Sequence, residues 1–257
     1  SRRTYPKRKR NGGFRMVNCW NNFEIIKPYY QDESVTIYNA DCRDILPLLP
    51  KVDLVIADPP YNIGWKYDIY KDVLTDKEYY KFLKATLGTT CVLIHYPESV
   101  FRFSIEIGIP PEEVVAWVYH ANIKKQWRSI AWFGSKPDFT LDSQEYRNKK
   151  DKRIQERIQK GYKARLYDWW EIEQVKCHTI EKTRHPCQIP EKLIKRIIKI
   201  TPRTKTVLDP FMGSGTTLRA AKDMNRKAIG IEISEKYCEI AAKRMSQTVM
   251  ELQGEKQ

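Results

Sequence analysis

Short apolar runs bounded by turn residues recur along the chain, and most are followed by a stretch whose apolar positions repeat at helical spacing. The runs at 35–38, 54–57, 91–95, 207–209 and 228–231 read as buried strands. Thr75 stands three residues before Glu78 and ahead of Tyr79, Phe82, Leu83 and Leu87, a capping box that predicts a helix over 76–87 closed by Gly88. A brief helical turn is expected over 44–49, ended by Pro50. Pro190 suits a first helical position, and Leu193, Ile194, Ile197 and Ile198 mark one face of a helix that must end before Pro202. Leu218, Ala221 and Met224 mark another helix, and Ser234 is placed to cap a last one that buries Tyr237, Ala241 and Met245. Runs at 114–119 and 130–133, separated by basic residues at 124–128, suggest a hairpin-like pair. The alternation of strand and helix predicts an α/β fold, a mainly parallel sheet with helices on both faces.

Two stretches break this texture. Residues 1–15 are polar and basic, as a solvated arm would be. Residues 138–170 are densely charged, with Ile154 and Ile158 as a thin apolar stripe and with tyrosines and tryptophans among the cations. Such a segment makes little core of its own and is expected to be an insertion laid on the main sheet, a solvated helical excursion being the plainer alternative.

Composition turns this pattern toward a partner. The 257 residues carry 46 Lys and Arg against 32 Asp and Glu, a net charge of +14 that favours a polyanion such as nucleic acid. No apolar run reaches the length of about 20 residues that spans a bilayer, so a cytoplasmic protein is expected. The six cysteines include no C-x-x-C pair and sit mostly in apolar surroundings, which predicts reduced core thiols. Cys177-His178 and His185-Pro186-Cys187 fit no common zinc spacing, and no metal is expected.

The candidate chemistry lies at two strand ends. Asp58-Pro59-Pro60-Tyr61 follows the run at 54–57, and the prolines force the backbone out of the sheet in a stiff extended form. A carboxylate, an adjacent carbonyl and a ring presented together suit the grip of a planar group bearing NH2, such as a nucleobase. The second strand end is Asp209, followed by Pro210-Phe211-Met212-Gly213-Ser214-Gly215-Thr216 and a helix. Glycines at a helix N-terminus predict a concavity lined by backbone N–H groups that takes a ligand carboxylate. Glu232 ends the next strand, at the spacing where a dinucleotide fold places the acid that binds ribose hydroxyls. NAD is a competing ligand for this loop, which lacks the third glycine of the NAD fingerprint.

Taken together, Asp58-Pro59-Pro60-Tyr61 and Asp209-Pro210-Phe211-Met212-Gly213-Ser214-Gly215 resemble the β-class S-adenosylmethionine-dependent amino methyltransferases of DNA, over roughly residues 34–248. The resemblance implies a circularly permuted Rossmann-like sheet divided into a basic arm (1–33), a catalytic half (34–136), a target-recognition insertion (137–180) and a cofactor half (181–250). It implies S-adenosylmethionine as cofactor, double-stranded DNA as partner, base flipping and, as relatives are often dimers, a homodimer. Catalysis would fall to Asp58, Pro59, Pro60 and Tyr61. Cofactor contacts would fall to Asp41 and Cys42, in a turn similar to the family's adenine-contacting one, and to Asp58, His185, Gln188, Asp209, Phe211, Gly213, Ser214, Gly215, Thr216 and Glu232; Ile189 stands where the family usually has a lysine. DNA contacts are expected from Lys124, Lys125, Arg128, Arg147, Lys149, Lys150, Lys152 and Arg153. Adenine N6 is the preferred target because an aspartate leads the catalytic motif. Cytosine N4, RNA or a protein amide, and an inactive nucleic-acid-binding relative remain the alternatives, and a bacterial or phage source with a restriction-modification role is the expected context.

Overall fold

The computed structural model describes residues 27–247 apart from 68, 122, 177–180, 184 and 186. The basic arm, Cys19, Cys177, His178 and Pro186 therefore lie outside or largely outside the described residues. The strands of the main sheet are β1 (Tyr30–Gln31), β2 (Val35–Asn39), β3 (Leu54–Ala57), β4 (Cys91–His95), β5 (Glu113–Val118), β6 (Trp127–Phe133), β9 (Trp169–Glu171), β10 (Thr206–Asp209) and β11 (Lys227–Glu232). A small pair, β7 (Ser143–Gln144) and β8 (Ala164–Arg165), stands apart. The sheet runs β1-β2-β11-β10-β3-β4-β6-β5-β9. Its central run from β2 to β4 is parallel throughout, while β6 reverses direction against both β4 and β5. The C-terminal strands β10 and β11 thus sit in the middle, between two N-terminal ones, as the expected permuted order requires.

Alternation along the strands delivers side chains to two cores. Ile56, Val92, Ile94, Ile130 and Trp132 meet the helices α5 (Glu191–Ile200), α6 (Thr216–Asp223) and α7 (Glu235–Ser246). Ala57, Cys91, Leu93, Ala131 and Phe133 meet α2 (Asp76–Leu87) and α3 (Pro97–Ile107) on the opposite face. Helix α2 starts as its capping box dictates: the Glu78 N–H donates to Thr75 Oγ1, and the Thr75 N–H donates back to the Glu78 carboxylate. Ser234 occupies the N-cap of α7 but makes no side-chain cap bond. The early helical turn forms as expected and ends before Pro50, but it starts two residues sooner, because Asp41 accepts from the Arg43 N–H and caps a short helix, α1 (Cys42–Ile45), that continues as a 3-10 turn over Leu46–Leu48. Helix α3, with proline in its first turn and Val100 and Phe103 inward, was not among the predicted elements.

The charged insertion has two parts of different character. Helix α4 (Lys152–Gln159) buries no residue, as its composition predicts. From Ala164 onward the chain rejoins the core: Leu166, Trp170 and Ile172 are buried, and β9 pairs in parallel with β5, setting Trp170 against Trp117. The expectation of a segment merely laid on the sheet therefore fails for this part. Full burial of a large apolar side chain stabilises by about 1.5–3 kcal/mol, and the Trp117 and Trp170 indoles also donate to the carbonyls of Ile172 and Tyr167. Cys42, Cys91 and Cys238 are buried free thiols as expected, whereas Cys187 is exposed.

Candidate active site

Parallel strands end on one edge of a sheet, and there the chain changes direction and leaves a crevice. Here β2, β11, β10, β3 and β4 bring Asn39, Glu232, Asp209, Asp58 and His95 to that edge together. Asp58 and Asp209 leave neighbouring strands, Leu208 pairing with Val55 one residue before Asp209 and three before Asp58.

The Asp58–Tyr61 turn is held from three sides. Tyr61 donates its hydroxyl to Asp58 Oδ1 at 2.6 Å, stacks on His95 at 4.3 Å between centroids and meets the edge of Tyr96 at 5.0 Å. The Tyr96 N–H donates to His95 Nδ1, so a neutral His95 carries its proton on Nε2, which then donates to Tyr79 Oη at 2.8 Å. The Tyr79 hydroxyl in turn donates to the Pro60 carbonyl at 2.7 Å. Burial, followed by the nearby Arg128 and Lys125, pushes His95 down to about 3, which keeps this chain of bonds in one tautomer at neutral pH. The turn is continued by a loop folded around Asp72, 2% exposed, whose carboxylate accepts from the N–H groups of Asn62, Ile63 and Trp65.

Three carboxylates in the crevice resist ionisation. Burial raises Asp58 to about 6, opposed by Arg128 and the Tyr61 hydroxyl. Burial raises Asp209 to about 7 against its bonds from Thr217 and the Phe211 N–H, with Asp58 and Glu232 adding repulsion. Glu232 is raised too, again by burial. A cationic ligand with hydroxyl groups would relieve this clustering and use the acceptors it leaves.

The glycine loop differs from a nest that takes a ligand carboxylate. The N–H groups of Phe211, Met212, Gly213 and Gly215 already donate to Asp209, the Ile231 carbonyl, Glu232 and the Met212 carbonyl. The strand-end acids have turned the loop's donors inward because both are buried within reach of them. What the glycines supply is close approach. Gly213 and Gly215 have φ of +49° and +77°, and a Cβ on them would stand 2.8 Å from His185 Nε2 and 2.9 Å from Ala241 Cβ. Gly215→Ala is expected to lower Tm by roughly 2–8 °C, from about 1–2 kcal/mol of left-handed strain before any contact with helix α7 is counted; a thermal melt checks it.

The other cofactor candidates divide. His185 packs on Gly213 and on the Tyr237 ring at 4.5 Å, and burial pushes it down to about 4. Gln188 staples its own segment, accepting from Thr183 and donating to the Glu181 carbonyl. Ser214 and Thr216 both bond Arg244, which pairs with Glu191 at 2.8 Å. Cys42 is buried beside Tyr38 and Leu208, with Phe211 packed on the same cluster. Asp41 is ion-paired with Arg43 at 2.5 Å and held below its usual range by that bond.

The basic candidates also separate. Lys124, Arg147, Lys149, Lys150, Lys152 and Arg153 are exposed. Arg147 stacks on Trp169 at 3.8 Å. Lys149 stands 3.7 Å from Glu145, and exposed pairs of this kind contribute below about 1 kcal/mol, too little to withhold a lysine from a phosphate. Lys125 lies over the Tyr96 ring at 3.9 Å and pairs with Glu98. Arg128 is different: it lies on β6, beside Tyr61 of the Asp58–Tyr61 turn, not in the basic connection before it. His95, Tyr79 and Tyr96 were not predicted for the site. A histidine and tyrosine at the end of the apolar run 91–95 were the available signal.

Comparison with known proteins points to one family. Residues 52–243 match the N6/N4 methyltransferase family model, described as DNA methylase. The type II methyltransferase M.ScaI of Streptomyces caespitosus is 29% identical over 85% of this chain and 84% of its own. M.BglII of Bacillus subtilis is 32% identical over 82% of this chain and 68% of its own, and the DNA adenine methyltransferase YhdJ of Escherichia coli is 28% identical over 84% of each. Among solved structures, the cytosine-N4-specific PvuII DNA methyltransferase superposes with a TM-score of 0.64 at 18% identity, covering 88% of this chain and 91% of that one. The HpyAVI–SAM complex does so with a TM-score of 0.51 at 23% identity, covering 83% and 100%. At these identities the two structures speak for the fold.

Proposed function

The chain belongs to the N6/N4 DNA methylase family, and from that premise we propose that it transfers a methyl group from S-adenosylmethionine to the exocyclic amine of a base flipped out of double-stranded DNA, with adenine N6 preferred. The observation that carries this reading is the delivery of Asp58-Pro59-Pro60-Tyr61 and Asp209 with Glu232 to one crevice by adjacent parallel strands. Glu232 would hold the ribose hydroxyls through lone pairs left after its bonds from Gly213 and Ser234. His185 and Gly213 would border the cofactor's path, and Asp41, Cys42 and Phe211 would flank its purine. When bound, the cofactor supplies the electrophilic methyl group.

The remaining steps belong to the chain. Asp58 and the Pro59 carbonyl accept hydrogen bonds from the amine and turn its lone pair toward the methyl. Asp58, at about 6, is ionised at neutral pH and basic enough to take the proton the nitrogen sheds. Tyr61 offers its ring to the extruded base, a role that requires its hydroxyl bond to Asp58 to adjust. The leading aspartate supports adenine; the likeness to PvuII keeps cytosine N4 as the second reading. Bacterial type II relatives favour a restriction-modification context.

Tritiated-methyl transfer assayed in parallel on duplex DNA, RNA and protein tests the substrate class, with label expected in DNA alone. Replacing Lys149, Lys150, Lys152 and Arg153 with alanine should weaken DNA binding and flatten its dependence on salt, with cofactor affinity unchanged. Unaltered DNA affinity across a salt series would return α4 to a solvated excursion.

A further inference from the structure

We propose that Arg128 is a positioning residue of the catalytic pocket, its half-buried, ring-flanked guanidinium holding the Asp58 carboxylate set for the target amine, and that it is not a phosphate contact. The proposal rests on the methyl-transfer reading for its purpose, but its geometry stands by itself. Arg128 pairs with Trp117 across β5 and β6, and the next residue, Ser129, pairs with His95 on β4, so the strand register fixes it beside the catalytic turn. Its guanidinium lies 5.1 Å from the Tyr61 ring, 5.2 Å from Tyr119, 5.5 Å from Trp117 and 5.7 Å from Tyr96. Its Nε is buried and has no hydrogen-bond partner.

A guanidinium among ring faces is desolvated yet keeps its charge, because the ring quadrupoles attract it. The carboxylate that benefits is reached through Tyr61, whose ring lies 5.1 Å from the guanidinium and whose hydroxyl donates to Asp58 at 2.6 Å. The groups that interact with Asp58 come from every element around it. They are Tyr61 on its own turn, Tyr67 in the loop that follows, Tyr79 on α2, Tyr119 after β5, Cys187 before α5, Asp209 on β10, and Arg128 on β6. Arg128 is the cation of this set. Burial drives Asp58 upward, to about 6, and Arg128 is the larger of the two influences that restrain it. Burial also pulls at the charge of Arg128, and the Asp58 carboxylate opposes that loss. A phosphate contact is better served by a fully exposed head group, which Lys124 and Lys149 have and the ring-flanked Arg128 has not.

The test is a carbon-13 NMR titration of the aspartate carboxyls in the full chain, with Asp58→Asn assigning the signal. An opposite charge at close range lowers a carboxylate by about 1–3 units, so Arg128→Gln should raise the Asp58 midpoint by one pH unit or more. Arg128→Lys, which keeps the charge, should leave it near wild type, and it carries the test if the glutamine variant does not fold. In parallel, methyl transfer by Arg128→Gln should be depressed at pH 7 and recover as pH rises, while the salt dependence of DNA binding stays unchanged. An unmoved Asp58 midpoint in Arg128→Gln, a lysine variant shifted as far as the glutamine one, or a flattened salt dependence would each overturn the proposal. The titration needs no substrate, so it reads out even if the chain methylates nothing.

Discussion

Asp58→Ala is expected to lower methyl transfer by about 10²- to 10⁴-fold, the range for losing an oriented acceptor together with a proton acceptor. The fold should persist. Asp58 lies beyond the last residue of β3, and its side-chain bond runs to Tyr61 within the same turn. The buried residues that anchor the strand, Leu54, Ile56 and Ala57, are untouched. Asp58→Asn retains one acceptor and loses the charge, so it should be slow but measurable. The wild-type rate should fall on acidification with an apparent midpoint near 6. The sign follows from burial: the folded carboxylate holds its proton more tightly than a free one, and only the ionised form accepts from the amine. Initial rates between pH 5 and 8 check this, and circular dichroism checks that the variants are folded.

Glu232→Ala should weaken S-adenosylmethionine binding by about 10- to 150-fold, the equivalent of one hydrogen bond to a charged group at about 1.5–3 kcal/mol. Two effects combine. The ribose hydroxyls lose their acceptor, and the N–H groups of Gly213 and Ser234, now bonded to the carboxylate at 3.0 and 2.8 Å, lose theirs. The second loss loosens the loop that sets the cofactor's path. Glu232→Gln keeps the shape and an acceptor for one of these donors, so it should fall between wild type and alanine. Isothermal calorimetry with S-adenosylmethionine reads the difference, and heat from NAD in place of S-adenosylmethionine would contradict the cofactor assignment.

How far the sequence foretells this site depends on whether a feature is local. Helix α2 follows from Thr75 and Glu78 because a capping box closes within four residues. Strands β3, β4, β10 and β11 follow from unbroken apolar runs, and their parallel pairing places the terminal acids together. Features made by distant pairing stay hidden. Trp170 reads as one more aromatic in a charged segment until β9 is laid beside β5 and faces Trp117. Arg128 reads as one of several cations around a turn, and only the register of β6 against β4 and β5 brings it beside the Tyr61 ring. The glycine loop shows the same limit, since its spacing is legible but the capture of its N–H groups by Asp209 and Glu232 depends on two strand ends meeting. His95 and Tyr79 join the site through a chain of bonds between a strand end and a helix, which no run of residues announces.

Methyl transfer to an exocyclic amine is tested directly by incubating the purified chain with duplex DNA and S-adenosylmethionine carrying a labelled methyl group, digesting the DNA to nucleosides and identifying the labelled one by mass spectrometry. The label is expected on an exocyclic nitrogen, as N6-methyladenosine in its deoxy form, and is expected to be lost with Asp58→Ala. Label on carbon 5 of cytosine, or undiminished label with Asp58→Ala, would contradict this assignment.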